Sequence, residues 1–375
     1  MYRNTKNVPY YVFGRGSLAQ LGDLLKPRRE AVDGPVVYFV DHFFRDHELI
    51  GRLPMEKGDQ LHFVDSSSEP EVTRIDAFKE AVSAADSRIP CRVVGIGGGN
   101  ALDTAKAVAN LLTNPGKAED YQGWELVKNP AVYKIGIPTL SGTGSECSRT
   151  CVLTNIPKNL KLGMNSDYTV YDQLLLDPDL LATVPRDQYF YTGIDTFMHC
   201  VESLQGSYRN AIIDAFSVRA VQLCEEIFLS DDMMSEENRE KMMIASYIGG
   251  MAAGNVGVIH PFSAGLGVVL HVAHGLGNCL ALNVLGDIYP KEYKQFRTMI
   301  ERQPAHRHLQ GSHRRAVRRP LSRLHRPRKA PHQCPRPRLQ ADPHQGKPHR
   351  TLQEHLAGAP RWACPREGPC GPLTR

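Results

Sequence analysis

Arg92-Val-Val-Gly95-Ile-Gly97-Gly98-Gly99-Asn100-Ala-Leu-Asp103-Thr-Ala-Lys106-Ala-Val-Ala109 reads as a buried strand, a glycine turn and a helix in direct succession. Three consecutive glycines let the backbone come close to a pyrophosphate. The helix opened by Asn100 then aims free N–H groups and its positive end at that anion. Glycine turns in α/β proteins are often only turns, and this one is not the G-x-G-x-x-G fingerprint, so both readings stand at this point. Asp103 in the first helical turn favours the dipole and suits a residue that holds a neighbouring loop.

Working outward, Pro35-Val-Val-Tyr-Phe-Val-Asp41 reads as a buried strand ending in an acid, and Leu61-His-Phe-Val-Asp65 as a second, shorter strand. Ile75–Ala85 is helical by spacing, with Phe78, Ala81 and Val82 on one face. Tyr133-Lys-Ile-Gly-Ile-Pro138 is another strand, running into Thr139-Leu-Ser141-Gly142-Thr143-Gly144-Ser145-Glu146. Alternating strands and helices predict a parallel, doubly wound sheet. A second small-residue loop directly after a strand strengthens the nucleotide reading, because a dinucleotide needs several loops at the C-terminal ends of the strands. Asp41 suits a ribose hydroxyl pair, which would repel a 2′-phosphate and favour NAD over NADP. It suits a strand-end cap equally well.

From about Pro185 the pattern turns helical, with Arg209–Leu229, Glu236–Ala253 and roughly Phe262–Leu280 as single helices. The expected organisation is an α/β dinucleotide-binding domain over 1–180 and an all-α metal-binding domain over 181–302. In Tyr189-Phe-Tyr-Thr-Gly-Ile-Asp195-Thr-Phe-Met-His199-Cys-Val-Glu202, Asp195 and His199 share a helix face at i, i+4. His260 and His274 follow downstream. One carboxylate and three imidazoles suit Fe2+ or Zn2+. A capped helix with scattered histidines is the plainer alternative.

The chain has 375 residues, room for two domains with a substantial core. No apolar run reaches bilayer length, and the first residues lack the apolar stretch of a signal peptide, so no membrane association is expected. Nine cysteines without a CxxC pair point to reduced thiols in a cytoplasm. The net charge of +5 is unevenly placed: residues 303–375 hold 14 Arg and 2 Lys against 3 acids, which leaves the body mildly acidic. That tail also has 8 of the 15 His and 12 of the 26 Pro, and no Ile, Phe, Tyr or Met. Such composition buries too little apolar surface to offset chain entropy. A basic nucleic-acid arm, a disordered linker and a wrong reading frame compete for it. Codons can be chosen for Ser312–Arg319 and beyond so that reading one base later yields amphipathic, helix-like text. The expectation is a frameshift near 302–304, with no nucleic-acid partner.

The order of parts resembles the iron-containing (group III) alcohol dehydrogenases: Gly97-Gly98-Gly99-x-x-x-Asp103-x-x-Lys106, Pro138-Thr-x-Ser-Gly-Thr-Gly144-Ser-Glu146, Asp177-Pro178, and Asp195-x-x-x-His199 with His260 and His274. The resemblance covers residues 8 to about 300. It implies a dehydroquinate synthase-like fold (α/β plus all-α) with a metal in the cleft between the two parts. It also implies metal ligands at Asp195, His199, His260 and His274, a pyrophosphate loop at Gly97, Gly98, Gly99 and Asp103, and a nicotinamide-side loop at Thr139, Ser141 and Thr143. The implied chemistry is metal-assisted hydride transfer from an alcohol to NAD(P), with a homodimer as the assembly. Tyr121-Gln-Gly-Trp124, Lys161-Leu-Gly-Met-Asn-Ser-Asp167 and Asn255–Gly265 resemble the subgroup that oxidises the C8 alcohol of the lipopolysaccharide sugar 3-deoxy-D-manno-octulosonate (Kdo), whose aldehyde goes to a PLP aminotransferase. Tyr121, Gln122, Trp124, Asn165 and Arg209 are expected to meet the sugar hydroxyls. One departure stands out: where many family members carry a relay histidine four residues after the third ligand, this chain has Ala264. Proton transfer must then use another group or solvent, with Lys161 and His271 as the candidates and a structural role for His271 as the plainer alternative.

Overall fold

The computed structural model describes residues 6–206, 209–253, 257–270 and 272–303, which belong to one compact unit. The expected aberrant tail, apart from Gln303, lies outside the described residues. So does His271.

In chain order the elements are β1 (Tyr10–Phe13), α1 (Leu21–Ala31), β2 (Val36–Asp41), β3 (Gln60–Val64), α2 (Val72–Ala85), β4 (Arg92–Gly97), α3 (Gly99–Leu111), β5 (Gly123–Trp124), β6 (Lys134–Pro138), β7 (Thr150–Asn155), β8 (Leu160–Asn165) and β9 (Gln173–Leu176). Six helices follow: α4 (Arg186–Gln205), α5 (Ala211–Phe228), α6 (Glu236–Ala252), α7 (Ile259–Leu270), α8 (His274–Val284) and α9 (Pro290–Arg302). Six strands form a wholly parallel sheet in the order β1-β9-β6-β4-β2-β3. Its inner strands are buried on both faces, as the unbroken apolar runs of β2 and β4 require. β2, β4 and β6 end side by side at Asp41, Gly97 and Pro138, which brings the loops that follow them to one edge.

Two features depart from the sequence reading. A second sheet, β5-β8-β7, was not foreseen, although β7 alternates half-buried and buried residues in the period-2 signature of a strand. The single helix expected over Phe262–Leu280 is two helices, α7 and α8. The apolar stretch runs on through the interruption, so hydropathy carries no mark of it. The helical part packs Phe190, Phe197, Phe228, Met242 and Ile300 into one core together with Leu174 and Leu176 of β9. Gln303, at the end of α9, is buried. Its side chain donates to the Phe228 carbonyl (2.7 Å) and accepts from Arg186 (2.5 Å).

Candidate metal centre

α4 follows Pro185 and is buried along most of its length. It carries Asp195 and, one turn on, His199. α7 brings His260 from its first turn, and α8 starts at His274. These four side chains, up to 79 positions apart in sequence, meet around the Asp195 carboxylate. Asp195 Oδ1 lies 3.1 Å from His260 Nε2, 3.8 Å from His274 Nε2 and 3.9 Å from His199 Nδ1. One donor atom from each of Asp195, His260 and His274 falls within 4.8 Å of the others. His199 stands at the margin, its ring stacked on His260 with centroids 4.1 Å apart, and its Nδ1 is buried with no hydrogen-bond partner.

Burial alone would raise the Asp195 carboxyl, but the imidazoles of His199, His274 and His260 hold it far below the usual carboxylate range. Burial, with His260 beside it, pushes His199 down to about 3. Burial likewise takes His274 to about 4 against the pull of Asp195. Burial opposes charge on His260 too, yet hydrogen bonds to Asp195 and Glu202 raise it to about 9. Two neutral imidazoles, one of them presenting an orphaned buried nitrogen, together with an anionic carboxylate fit a divalent cation of borderline softness.

Two neighbours escaped the sequence reading. Glu202 lies one turn beyond His199 on α4 and accepts from His260 Nδ1. Asn278, one turn beyond His274 on α8, donates to Asp195 Oδ1. Both sit at helical spacing from a ligand candidate, and that was the available signal.

Asp195 and His274 open into a cleft of about 880 Å3 whose walls include Asp41, Gly98, Gly99, Thr139, Thr143 and Lys161. Gly97 turns the chain at φ +150°, where a Cβ would lie 2.6 Å from Ala101 Cβ. It makes the turn, while Gly98 and Gly99 form the wall. Asp41 lines the cleft and also accepts from Phe43 N (3.0 Å) and Ser66 Oγ (2.9 Å), so its capping role is real and its ribose role remains compatible.

Several expected residues lie elsewhere. Asp103 is not a cleft residue: its carboxylate accepts from Ser145 Oγ and Val152 N (2.9 Å), with buried Lys106 3.6 Å away. Its first-turn position turns it toward the loop that leaves β6, as a clamp. Ser141 is also absent from the cleft wall, its hydroxyl buried without a partner. Lys161, on β8, does line the cleft and pairs with Glu69 at 2.9 Å. Tyr121, Gln122, Trp124, Asn165 and Arg209 do not. The Tyr121 hydroxyl donates to Pro115 O, Gln122 to Leu153 O, Asn165 to Gly123 O, and Arg209 pairs with Asp214 at the surface. Among the described residues no helix is long and apolar enough to cross a membrane.

Residues 9–178 match the family profile described as "Iron-containing alcohol dehydrogenase", and residues 189–305 the profile "Fe-containing alcohol dehydrogenase family, C-terminal". The chain is 34% identical over 220 residues to the sulfoacetaldehyde reductase of Bilophila wadsworthia, covering 57% of this chain and 56% of that protein. It is 29% identical over 282 residues to Alcohol dehydrogenase 4 of Saccharomyces cerevisiae, covering 73% and 72%. The match thus spans little more than half the length of the first of these relatives. Among solved structures, the sulfoacetaldehyde reductase from Bifidobacterium kashiwanohense in complex with NAD+ superposes with a TM-score of 0.66 at 26% identity, over 77% of each chain. A 1,3-propanediol oxidoreductase superposes with a TM-score of 0.68 at 23% identity, over 81% of this chain and 80% of that one, a likeness of fold alone.

Proposed function

The chain belongs to the iron-containing alcohol dehydrogenase family, and from that premise we propose that it interconverts a primary alcohol and its aldehyde with NAD as hydride partner. The observation that carries this reading is the single cleft joining the glycine loop of β4–α3 to Asp195 and His274. Asp195, His199, His260 and His274 are the residues that would hold a divalent ion, Fe2+ or Zn2+, and that ion when bound supplies Lewis acidity toward a substrate oxygen. NAD when bound supplies the hydride acceptor, and the bound cofactor in a similar structure supports NAD. Gly98 and Gly99 leave room for its pyrophosphate at the N-terminus of α3, Asp41 faces a ribose, and Thr139 and Thr143 line the nicotinamide side. Asp103 and Lys106 act one step back by holding the 145–152 segment. Lys161 stands on the substrate side, where its ammonium can hold or pass a proton with Glu69 as its partner.

The finer reading is oxidation of the C8 alcohol of Kdo, with the aldehyde consumed by a PLP aminotransferase, in a cytoplasmic homodimer. It is supported by the subgroup motifs and by Lys161, the one Lys or Arg on the described cleft wall, which suits a substrate bearing a carboxylate. The names of the two sulfoacetaldehyde reductases favour a second reading, reduction of a short anionic aldehyde. A substrate panel of Kdo, sulfoacetaldehyde, 1,3-propanediol and ethanol, run with Fe2+ and Zn2+ and both nicotinamide cofactors, separates these. Within it, His260→Ala is expected to abolish turnover and metal retention while NAD binding survives. Activity with full metal content in that variant would refute the ligand set.

A reading of another class is a chain inactivated by a frameshift. It is supported by the change of composition after 303, by Gln303 packing as a body residue, and by the family match stopping at 305. Sequencing the gene around codon 303 tests the frame. Thermal unfolding with and without metal and NAD tests whether a ligand-binding fold survives.

A further inference from the structure

Glu202 is a fully buried carboxylate at the end of α4, with both oxygens engaged. Oε1 accepts from Ile259 N at 2.5 Å, the first N–H of α7, and the Gly257 N–H adds a second backbone contact. Oε2 accepts from Nδ1 of His260. The other nitrogen of that ring, Nε2, faces Asp195 Oδ1 at 3.1 Å. The imidazole is therefore held at both ends by groups from one helix, Asp195 and Glu202, seven residues apart.

We propose that Glu202 is a positioning residue that keeps a proton on His260 Nδ1 and thereby makes Nε2 the nitrogen that gives up its proton and turns its lone pair to the metal position. This rests on the metal-centre reading above. A histidine donates a lone pair from one nitrogen only when the proton sits on the other, and the acceptor beside that other nitrogen decides which tautomer is present. Among the described residues no other acceptor is hydrogen-bonded to His260 Nδ1. The helix start is bound into the same device, because the carboxylate that orients the ring also caps α7.

Glu202→Gln separates these two tasks. Glutamine offers a single acceptor oxygen. Placing it at Ile259 N keeps the cap and turns the amide NH2 toward His260 Nδ1. Two donors then face each other unless the ring moves its proton to Nε2, where it points at Asp195 and blocks donation to an ion. Glu202→Gln should thus retain the fold and weaken metal binding.

The test measures Zn2+ affinity of metal-stripped full-length protein by competition with a chromophoric chelator, for the unaltered chain, E202Q, H260A and the double variant. E202Q is expected to bind roughly 10–100-fold more weakly. On the H260A background, whose weakened site loses its ion on purification and is read at correspondingly higher free zinc, the same change should cost less than about threefold, since the residue it acts through is gone. Unchanged affinity in E202Q, or an equal loss on both backgrounds, would overturn the assignment. Far-UV circular dichroism and the melting temperature of the stripped proteins report the fold. If E202Q does not fold, E202D, which keeps the charge and shortens the reach, goes through the same cycle with the same criteria. Should the unaltered chain take up no zinc, the metal centre itself falls and this assignment with it. If the unaltered chain binds and E202Q matches it, only the role of Glu202 falls.

Discussion

Gly142 offers the sharpest test of how the loop after β6 is joined to α4. It sits at φ +147° with its N–H donated to Ser246 Oγ on α6 (2.7 Å) and its carbonyl accepting from Thr196 Oγ1 on α4 (2.9 Å), one residue from Asp195. A Cβ at this position would stand 1.8 Å from the Thr192 carbonyl oxygen, against 3.0 Å for the closest contacts that real Cβ atoms make. Gly142→Ala must therefore separate the loop from α4 by about an ångström or refold it. Backbone strain at this φ costs about 1–3 kcal/mol. Two hydrogen bonds that cannot both survive cost about 1 kcal/mol each. The sum is about 3–5 kcal/mol, a large share of the 5–15 kcal/mol typical of a folded protein, and roughly a 5–8 °C fall in melting temperature at about 2.1 cal/mol/K of unfolding entropy for each of roughly 300 folded residues. Gly265→Ala is the control: nothing lies within 4 Å of a Cβ there, its φ is ordinary, and the residue is in α7. That change should stay within about 1 kcal/mol, on the stabilising side. The assay is differential scanning calorimetry of both variants beside a titration of NADH fluorescence, in which Gly142→Ala should also bind the cofactor more weakly. A melting temperature for Gly142→Ala within 2 °C of the parent, roughly the shift of 1 kcal/mol, would refute the idea that the loop is clasped rigidly against α4.

Lys161→Met should lower kcat/KM for alcohols bearing a carboxylate or sulfonate by about tenfold or more, the value of a charge-assisted hydrogen bond, while neutral alcohols change less than threefold. An equal loss for both classes would instead make Lys161 a proton carrier. Asp41→Gly should raise the relative use of NADP by removing the charge that faces a 2′-phosphate, and steady-state kinetics with both cofactors will show it if Asp41 sits at the ribose. Asp59 links Arg29 (Nη1 at 3.0 Å) with Val36 N (2.9 Å) and Glu56 N (2.8 Å). Burial opposes its charge, but these partners hold its carboxyl below the ordinary value of 3.8. The stability it contributes is thus complete above about pH 4, near the ordinary carboxylate value, and is lost as pH falls through the lower folded value. Asp59→Asn should flatten the acid limb of the melting temperature between pH 5 and 2, and an unaltered limb would refute the linkage.

What the sequence by itself determined is local and periodic. The runs of β2 and β4 announce a sheet buried on both faces. Gly97–Gly99 announce a close backbone approach, and Asp195 with His199 announce one helix face, because 2.0 and 3.6 residues per repeat can be read without knowing any partner. The tertiary structure decided what meets what. An unbroken helix through 262–280 would carry His274 about 21 Å along the axis from His260. The interruption between α7 and α8 folds it back until the rings lie 5.6 Å apart. Tyr121 and Gln122 look like sugar ligands in sequence yet spend their hydrogen bonds on the backbone outside the cleft, whereas Lys161 in the same small-sheet region reaches it. Asp103 reads as a phosphate-loop acid and serves as a clamp, because the loop after β6 packs against its side of α3. Glu202 becomes visible as the partner of His260 only when α7 crosses α4. Each of these depends on which nonlocal surfaces pack together, and packing leaves no period in the chain.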